Sequence, residues 1–403
     1  MSTKSVNVYF NTISTKLLVG KLVYKDKTIY FEYDKSFLQK GIELSPYKLP
    51  LKSGVHICDD RVFDGLFGVF ADSLPDGWGK LLIDRHLMSQ GVNFYDITPL
   101  DRLMLIGHFG VGALSYEPIQ ETMFPPHQQI ILDTLAQSSQ EILKGTSASM
   151  IDTLIAIGGS SAGARPKAMI QLNSNLDIIH GAQKLQEGYE HYMVKFPSIT
   201  DHTQIGKLEY VYSQMAKDSG IDICDTKLLH GEKNSYFAIK RFDRINDERV
   251  HIHSVAGLVH SDFRVPSLDY DDLLTLTLNL TKDTNEQLKM FKLCVFNLLT
   301  HNRDDHAKNF SFILDNSYNW KLSPAYDLTF SFGPGGEHST TYLGVGKNPS
   351  IKELEKLAHK HSIKNANQII DEIKSVVSNF KNYANNINMP KDLSDEVFKS
   401  FII

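Results

Sequence analysis

The chain has 403 residues, with 42 Lys+Arg against 47 Asp+Glu for a net charge of -5, and 42% hydrophobic residues, an ordinary globular composition with material for two or three domains. Its cysteines, Cys58, Cys224 and Cys294, are odd in number and far apart, which excludes a disulfide scaffold and a CxxC zinc site and favours a reducing cytoplasm. The opening MSTKSVNVYFN has no apolar signal core, no apolar run reaches the roughly 18–20 residues of a membrane span, and the acidic balance argues for indirect contact at most with nucleic acid.

The front of the chain reads as β-rich. VNVYF, LLVGKLVY and TIYFEY are β-branched and aromatic runs separated by turn material. GWGKLLIDRHLM, from Gly77 to Met88, then places Trp78, Leu81, Leu82 and Arg85 at helical spacing after a Leu-Pro-Asp-Gly turn. LMLIGHFGVGALSYEP predicts a second hairpin. Its Gly107, Gly110 and Gly112 are read as turn or bulge positions, because the order GxxGxG between strands is a poor nucleotide fingerprint. The proline-bearing PIQETMFPPHQQ marks a boundary near residue 125. A helix to about Lys144 precedes the strands AMIQLN, HYMVKFPS and SYFAIKRFD, with the helix KLEYVYSQMAKDSG between the last two. DDLLTLTLNLT, QLKMFKLCVFNLLTHN, IKELEKLAHKHS and NQIIDEIKSVVSNFKNYA make the rear helical. Three parts result: 1–125 β-rich, 126–243 mixed α/β, and 244–403 mostly helical.

Polar chemistry concentrates after the apolar helix ending at Leu299, in His301, Asn302, Arg303, Asp304, Asp305, His306, Lys308 and Asn309, just before the strand FSFIL. Loops held by rigid elements are where such residues act. Asp304 to Asn309 is D-x-x-x-x-N, and Asp327 follows after WKLSPAYDL. Phosphoryl transfer uses one carboxylate to accept the hydroxyl proton, an amide oxygen for magnesium, and a second carboxylate on the metal bridging the phosphates. Lys308 can add positive charge near the moving group. His306 is a structural or loop-orienting histidine, or one on the nucleotide side. Turns and caps also use Asp and Asn, and the spacing of His301 and His306 is poor for zinc. Upstream, Gly158, Gly159 and Gly163 punctuate GGSSAGARPKA, a small-residue loop whose backbone N–H groups can face an anion, although it lacks the Walker Lys-Ser or Lys-Thr. Lys195 lies in the apolar run YMVKFP.

Taken in order, these segments resemble the HipA family of bacterial Ser/Thr protein kinases, toxins of toxin–antitoxin pairs. The resemblance is carried by FGVFADSLPDGWGKLLIDR, GHFGVGALSYEP, GGSSAGARPKA, YMVKFP, FAIKRFDR, NRDDHAKNFSF and LSPAYDL. It implies an α+β, two-lobed protein-kinase-like fold with a β-rich N-terminal subdomain and a helical C-terminal lobe. It makes Asp304 the catalytic base, assisted by Lys308, and gives Asn309 and Asp327 to magnesium. Ala162, Gly163, Ala164, Arg165, Pro166 and Lys167 would cover the ATP phosphates. Lys195 would contact them, with Glu209 as its ion-pair partner, and Lys240, Arg241 and Phe242 would form the adenine hinge. Ser160, with Ser161 as competitor, would be the autophosphorylation site. The implied outcome is growth arrest through a translation component such as an aminoacyl-tRNA synthetase, with a HipB-like helix-turn-helix antitoxin as partner. Two departures stand out: Asp305 replaces an expected glycine and would add a charge at the site, and Arg165-Pro166 makes the loop stiffer and more basic. Asp305 keeps open a catalytically weak binding protein acting with its antitoxin; a kinase acting on a host protein or a small molecule is the other alternative.

Overall fold

A computed structural model describes residues 3–11, 15–119, 131–146, 154–155, 163, 165–181 and 184–403. It divides into two compact units, one of Met1–Thr203, Leu229–His253 and Gly257–His260, the other of Gln204–Leu228, Ser254–Ala256 and Ser261–Ile403.

The first unit opens with β1 (Lys4–Asn11), β2 (Lys16–Lys25), β3 (Thr28–Tyr33), β4 (Val55–Cys58) and β5 (Leu114–Glu117), in the order β4-β3-β2-β1-β5. All these pairings are antiparallel. Alternation sets the buried face: Val6, Val8 and Phe10 of β1 point inward between less buried neighbours. Helix α1 (Gly77–Ser89) follows the Leu-Pro-Asp-Gly turn as the spacing requires. The stretch read as a second hairpin is corrected in its first half, because LMLI ends helix α2 (Pro99–Ile106). Its start signal was present: Thr98 and Asp101 form a capping box and Pro99 occupies the first turn. Gly107 then ends the helix at φ 54° and Gly112 turns at φ 77°, so these glycines join a helix to β5.

Helix α3 (Leu132–Lys144) leads to the second sheet. Its strands are β6 (Lys167–Asn173), β7 (Ile178–His180), β8 (Tyr189–Lys195), β9 (Thr226–His230) and β10 (Ser235–Lys240), ordered β7-β6-β8-β10-β9. Trp78 and Leu82 of α1 and Leu132, Leu135 and Ile142 of α3 bury against Ala168, Ile170, Tyr192, Val194 and Tyr236 of this sheet. A rigid backing thus holds the ends of β6 and β8.

In the second unit, α4 (Ile205–Asp218), α5 (Tyr270–Thr281) and α6 (Thr284–Leu299) precede the short antiparallel pair β11 (Ser311–Leu314) and β12 (Trp320–Leu322). Asp269 and Asp283 cap α5 and α6 by accepting the Asp271 and Asn285 backbone N–H groups. The C-terminal helices are α7 (Ile351–Lys360), α8 (Ala366–Ser378), α9 (Phe380–Asn386) and α10 (Lys391–Phe398). One continuous helical pattern in the sequence is therefore two helices, α8 and α9, parted at Asn379. Among the described residues no helix is long and apolar enough to cross a membrane.

Candidate active site

Helix α6 is buried along Met290, Phe291, Leu293, Cys294, Val295, Phe296, Leu298 and Leu299, so its C-terminus is a fixed platform. The Thr300 hydroxyl donates to the Phe296 carbonyl at 2.7 Å, and the Thr300 carbonyl accepts the Tyr212 hydroxyl of α4 at 2.6 Å. From that platform a short loop carries residues 301–306 into the turn Ala307–Asn309. Asp304 is exposed on it, its side chain at 53%, in keeping with a carboxylate that meets a substrate. Asn309 donates its Nδ2 to the Asp304 carbonyl at 2.6 Å. That bond uses one of the two N–H donors of the amide and holds the side chain against the loop backbone.

His306 receives the Lys308 N–H on Nδ1 at 3.3 Å and brings Nε2 to 3.9 Å from Asp304 Oδ1. The latter is too long for a hydrogen bond, and the ring acts on the shape of the loop. The Lys308 ammonium sits 4.6 Å from the centre of the Phe263 ring, a cation–π contact, while the Lys308 carbonyl accepts the Tyr326 hydroxyl at 2.7 Å. Asp327 follows one residue later in the chain, partly buried, with φ 53°, a left-handed conformation uncommon outside glycine and asparagine and concentrated at functional turns. His301 is committed elsewhere: Nδ1 donates to the Ser331 carbonyl at 3.1 Å and the ring stacks on Phe330. Burial and the nearby Arg303 lower its pKa. Among the described residues no group of three or more His, Cys, Asp or Glu could hold a metal ion. The Asn309 amide and the Asp327 carboxylate are oxygen donors of the kind that a magnesium ion would take.

Asp305 corrects the expectation drawn from its position. It is 1% exposed and adds no charge to the open loop. Its carboxylate accepts from Tyr270 Oη at 2.8 Å, His338 Nδ1 at 2.9 Å, and the Ser339 and Thr340 N–H groups at 2.9 and 3.2 Å.

The first unit gathers a second set of predicted residues. Lys167 on β6 and Lys195 on β8 are directly opposed in register, so they share a face. Both are buried, at 4% and 7% exposure. Both carry an ammonium group at the same end of the sheet. Lys195 also lies 5.6 Å from the Phe237 ring centre. Gly163, at φ 97°, rests on Lys167: a Cβ there would come within 2.6 Å of the ammonium nitrogen. Arg165 makes a bidentate ion pair with Asp201, Nε and Nη2 each donating to one of its oxygens at 2.9 Å. Pro166 accepts the Phe196 N–H on its carbonyl at 2.8 Å. At the hinge, the Arg241 N–H is spent on the His191 carbonyl at 2.9 Å, its guanidinium binds Asp243, and Lys240 pairs with Glu190. Glu209 lies on α4, buried in the second unit. Ser160, Ser161, Ala162 and Ala164 fall outside the described residues.

Sequence reading missed Asp76 and Trp78. The Asp76 carboxylate accepts the Gly163 N–H at 3.1 Å, and the Gly163 carbonyl accepts the Trp78 N–H at 3.2 Å. Asp76 stands at the N-cap of α1 without capping it. That diversion from the usual role of an N-cap aspartate is a tertiary fact. The glycines of GxxGxG serve the packing of the first unit, since Gly110 and Gly112 turn their carbonyls to Arg244 and Arg249 at 2.8–3.2 Å. A nucleotide-binding loop presents N–H groups instead.

The family model described as HipA-like C-terminal domain matches residues 159–380, and the HipA N-terminal domain model matches residues 7–117. Y4dM of Sinorhizobium fredii, which carries a kinase name, is 26% identical over 47% of this chain, and the match spans only half of that relative. The serine/threonine-protein kinase toxin HipA of Shewanella oneidensis is 24% identical over 77% of this chain and 72% of its own. Among solved structures, HipA in the Shewanella oneidensis HipA, HipB and operator DNA complex superposes with a TM-score of 0.69 at 18% identity, covering 98% of this chain and 94% of that one. That likeness is one of fold: mixed α/β, β-rich at the front and helical at the back.

Proposed function

The chain belongs to the HipA family, and from that premise we propose that it is an ATP- and magnesium-dependent serine/threonine protein kinase in which Asp304 is the catalytic base. The observation that carries this reading is the exposed Asp304 carboxylate on a loop whose Asp304 carbonyl accepts the Asn309 side-chain amide. In this reading Asn309 and Asp327 hold magnesium, which would neutralise charge on the ATP phosphates. Lys167 and Lys195 bind the phosphates, and Gly163 with its neighbours forms the covering loop. Arg165 reaches the nucleotide only by leaving Asp201, and the hinge bonds adenine through groups other than the Arg241 N–H. The substrate hydroxyl gives its proton to Asp304 as its oxygen attacks the γ-phosphorus, and ADP leaves.

A protein substrate in translation, self-inactivation at Ser160, a cytoplasmic site of action and the division at residues 125 and 243 complete the proposal. A HipB-like antitoxin as partner is supported by the Shewanella complex, which holds HipA with HipB. The binding-protein alternative drew its support from Asp305, and that support is gone because the residue faces the interior. Transfer from labelled ATP to protein by the wild type and by Asp304→Asn tests the reading. Wild-type transfer that falls about 10²–10⁴-fold in the variant, with ATP binding retained, is expected; equal transfer by both overturns Asp304 as base.

A further inference from the structure

Asp305 is buried beside the proposed base and takes no part in the chemistry assigned above. A buried carboxylate is costly unless every lone pair is used, and here four donors converge on it. Oδ2 takes the Tyr270 hydroxyl and His338 Nδ1, and Oδ1 takes the N–H groups of Ser339 and Thr340. The Asp305 carbonyl also accepts the Thr340 hydroxyl. Tyr270 is itself oriented: Asn302 Nδ2 donates to Asn297 Oδ1 at 2.9 Å, and Asn297 Nδ2 donates to Tyr270 Oη at 2.9 Å. The relay therefore starts and ends on the loop, at Asn302 and Asp305, with Asp304 between them. On the far side, residues 338–341 are held a second time: Leu268 and Asp269 pair in parallel with Thr340 and Thr341, and Asp269 accepts the Thr341 hydroxyl at 2.6 Å and the Gly344 N–H at 2.7 Å. The Ser339 hydroxyl closes the set on the Arg303 carbonyl at 3.1 Å.

We propose that Asp305 is the positioning residue of the catalytic loop, joining the segment 338–341 to the backbone from which Asp304 projects, so that Asp304 is aimed only while that segment is docked. This rests on the kinase reading of Asp304. An amide at position 305 keeps the size of the side chain but brings an NH₂ among four donors, whichever way it is turned. The loop loses its anchor while Lys167 and Lys195 are untouched, and misplacement of a reacting group by about 1 Å can cost on the order of 10²-fold in rate.

The test compares Asp304→Asn, Asp305→Asn, Tyr270→Phe and His338→Gln in the full chain, measuring ATP affinity, kcat, KM for ATP and melting temperature. Asp305→Asn is expected to lower kcat about 10²-fold with KM and affinity for ATP within about twofold. Tyr270→Phe and His338→Gln, each removing or altering one donor, are expected to lower kcat by about three- to tenfold. If Asp304→Asn is inactive but Asp305→Asn turns over at the wild-type rate, the positioning role is overturned and the base assignment stands. A parallel fall of kcat and ATP affinity with the folded fraction makes Asp305 a stability residue only and also overturns the role. Should Asp305→Asn fail to fold, unchanged kcat in both milder variants does the same. Full activity of Asp304→Asn instead removes the kinase reading of that residue.

Discussion

The phosphate-binding reading at the residue scale turns on two lysines. Lys167 and Lys195 are neighbours across β6 and β8 and both buried, so the two ammonium-bearing chains share one face of the sheet. Lys195→Met should lower kcat/KM for ATP-dependent transfer by about 10²-fold, the usual cost of removing a preorganised cation or donor, while leaving the fold intact, because methionine keeps the apolar stem over Phe237. Steady-state kinetics with a melting curve on the same sample checks both halves. Asp327→Ala should abolish the dependence of ATP affinity on magnesium, measured by calorimetry with and without the ion. The types and order of these residues were legible in the sequence. That Asp305 points inward was not, since its partners Tyr270 and His338 lie 35 and 33 positions away.

At the scale of elements, the turn before α1 holds the loop that precedes β6. Asp76→Ala should free the Gly163 N–H and raise KM for ATP several-fold with little change in kcat, because the Trp78 bond and the lysines remain. A rise in kcat with unchanged KM would contradict it. Gly68 gives a stability prediction: a Cβ there would lie 2.0 Å from the Gly257 carbonyl oxygen, and backbone cannot yield as a flexible side chain does. Gly68→Ala should therefore destabilise by about 1–3 kcal/mol, the range of overpacked sites, read from denaturant unfolding. Strand alternation and the 3.6-residue period located most elements. The hairpin misread at LMLI arose because apolar runs of that length suit either period, and only the capping box at Thr98 and Asp101 distinguishes them.

Across the molecule, buried ionisable groups set the pH range of the first unit. Burial, then Arg241 and Arg244, push His191 down to about 4; burial and then His253 do the same for His251, also to about 4. Unfolded, each histidine titrates near about 6.5. Between those values the unfolded chain binds more protons than the native one, so stability falls as pH drops from about 6.5 to 4. Melting temperature against pH should show that slope, and His251→Gln should flatten it. Asp243 behaves as a paired carboxylate: burial would raise its pKa, but the charges of Arg241 and Arg244 outweigh it and hold it far below the usual range. Its contribution is present above about 4 and is lost as pH falls further. Asp243→Ala leaves the partly buried Arg244 and Arg249 on the Gly110 and Gly112 carbonyls without their carboxylate and should cost about 3–5 kcal/mol.

The strands and helices with strong periodicity were determined by the sequence through residue type and near-neighbour spacing, and family, fold class and the candidate residues Asp304, Asn309, Asp327, Lys167 and Lys195 through the motifs that carry the HipA resemblance. The partners of those residues were decided by the tertiary structure. Asp201 takes Arg165, Asp76 takes Gly163, and the His191 carbonyl takes the Arg241 N–H, each across a separation at which no periodic pattern carries information. Asp305 marks the division most clearly: one residue from the proposed base it reads as a charge at the site, and folding turns it inward, because the donors that satisfy it come from two other segments of the chain.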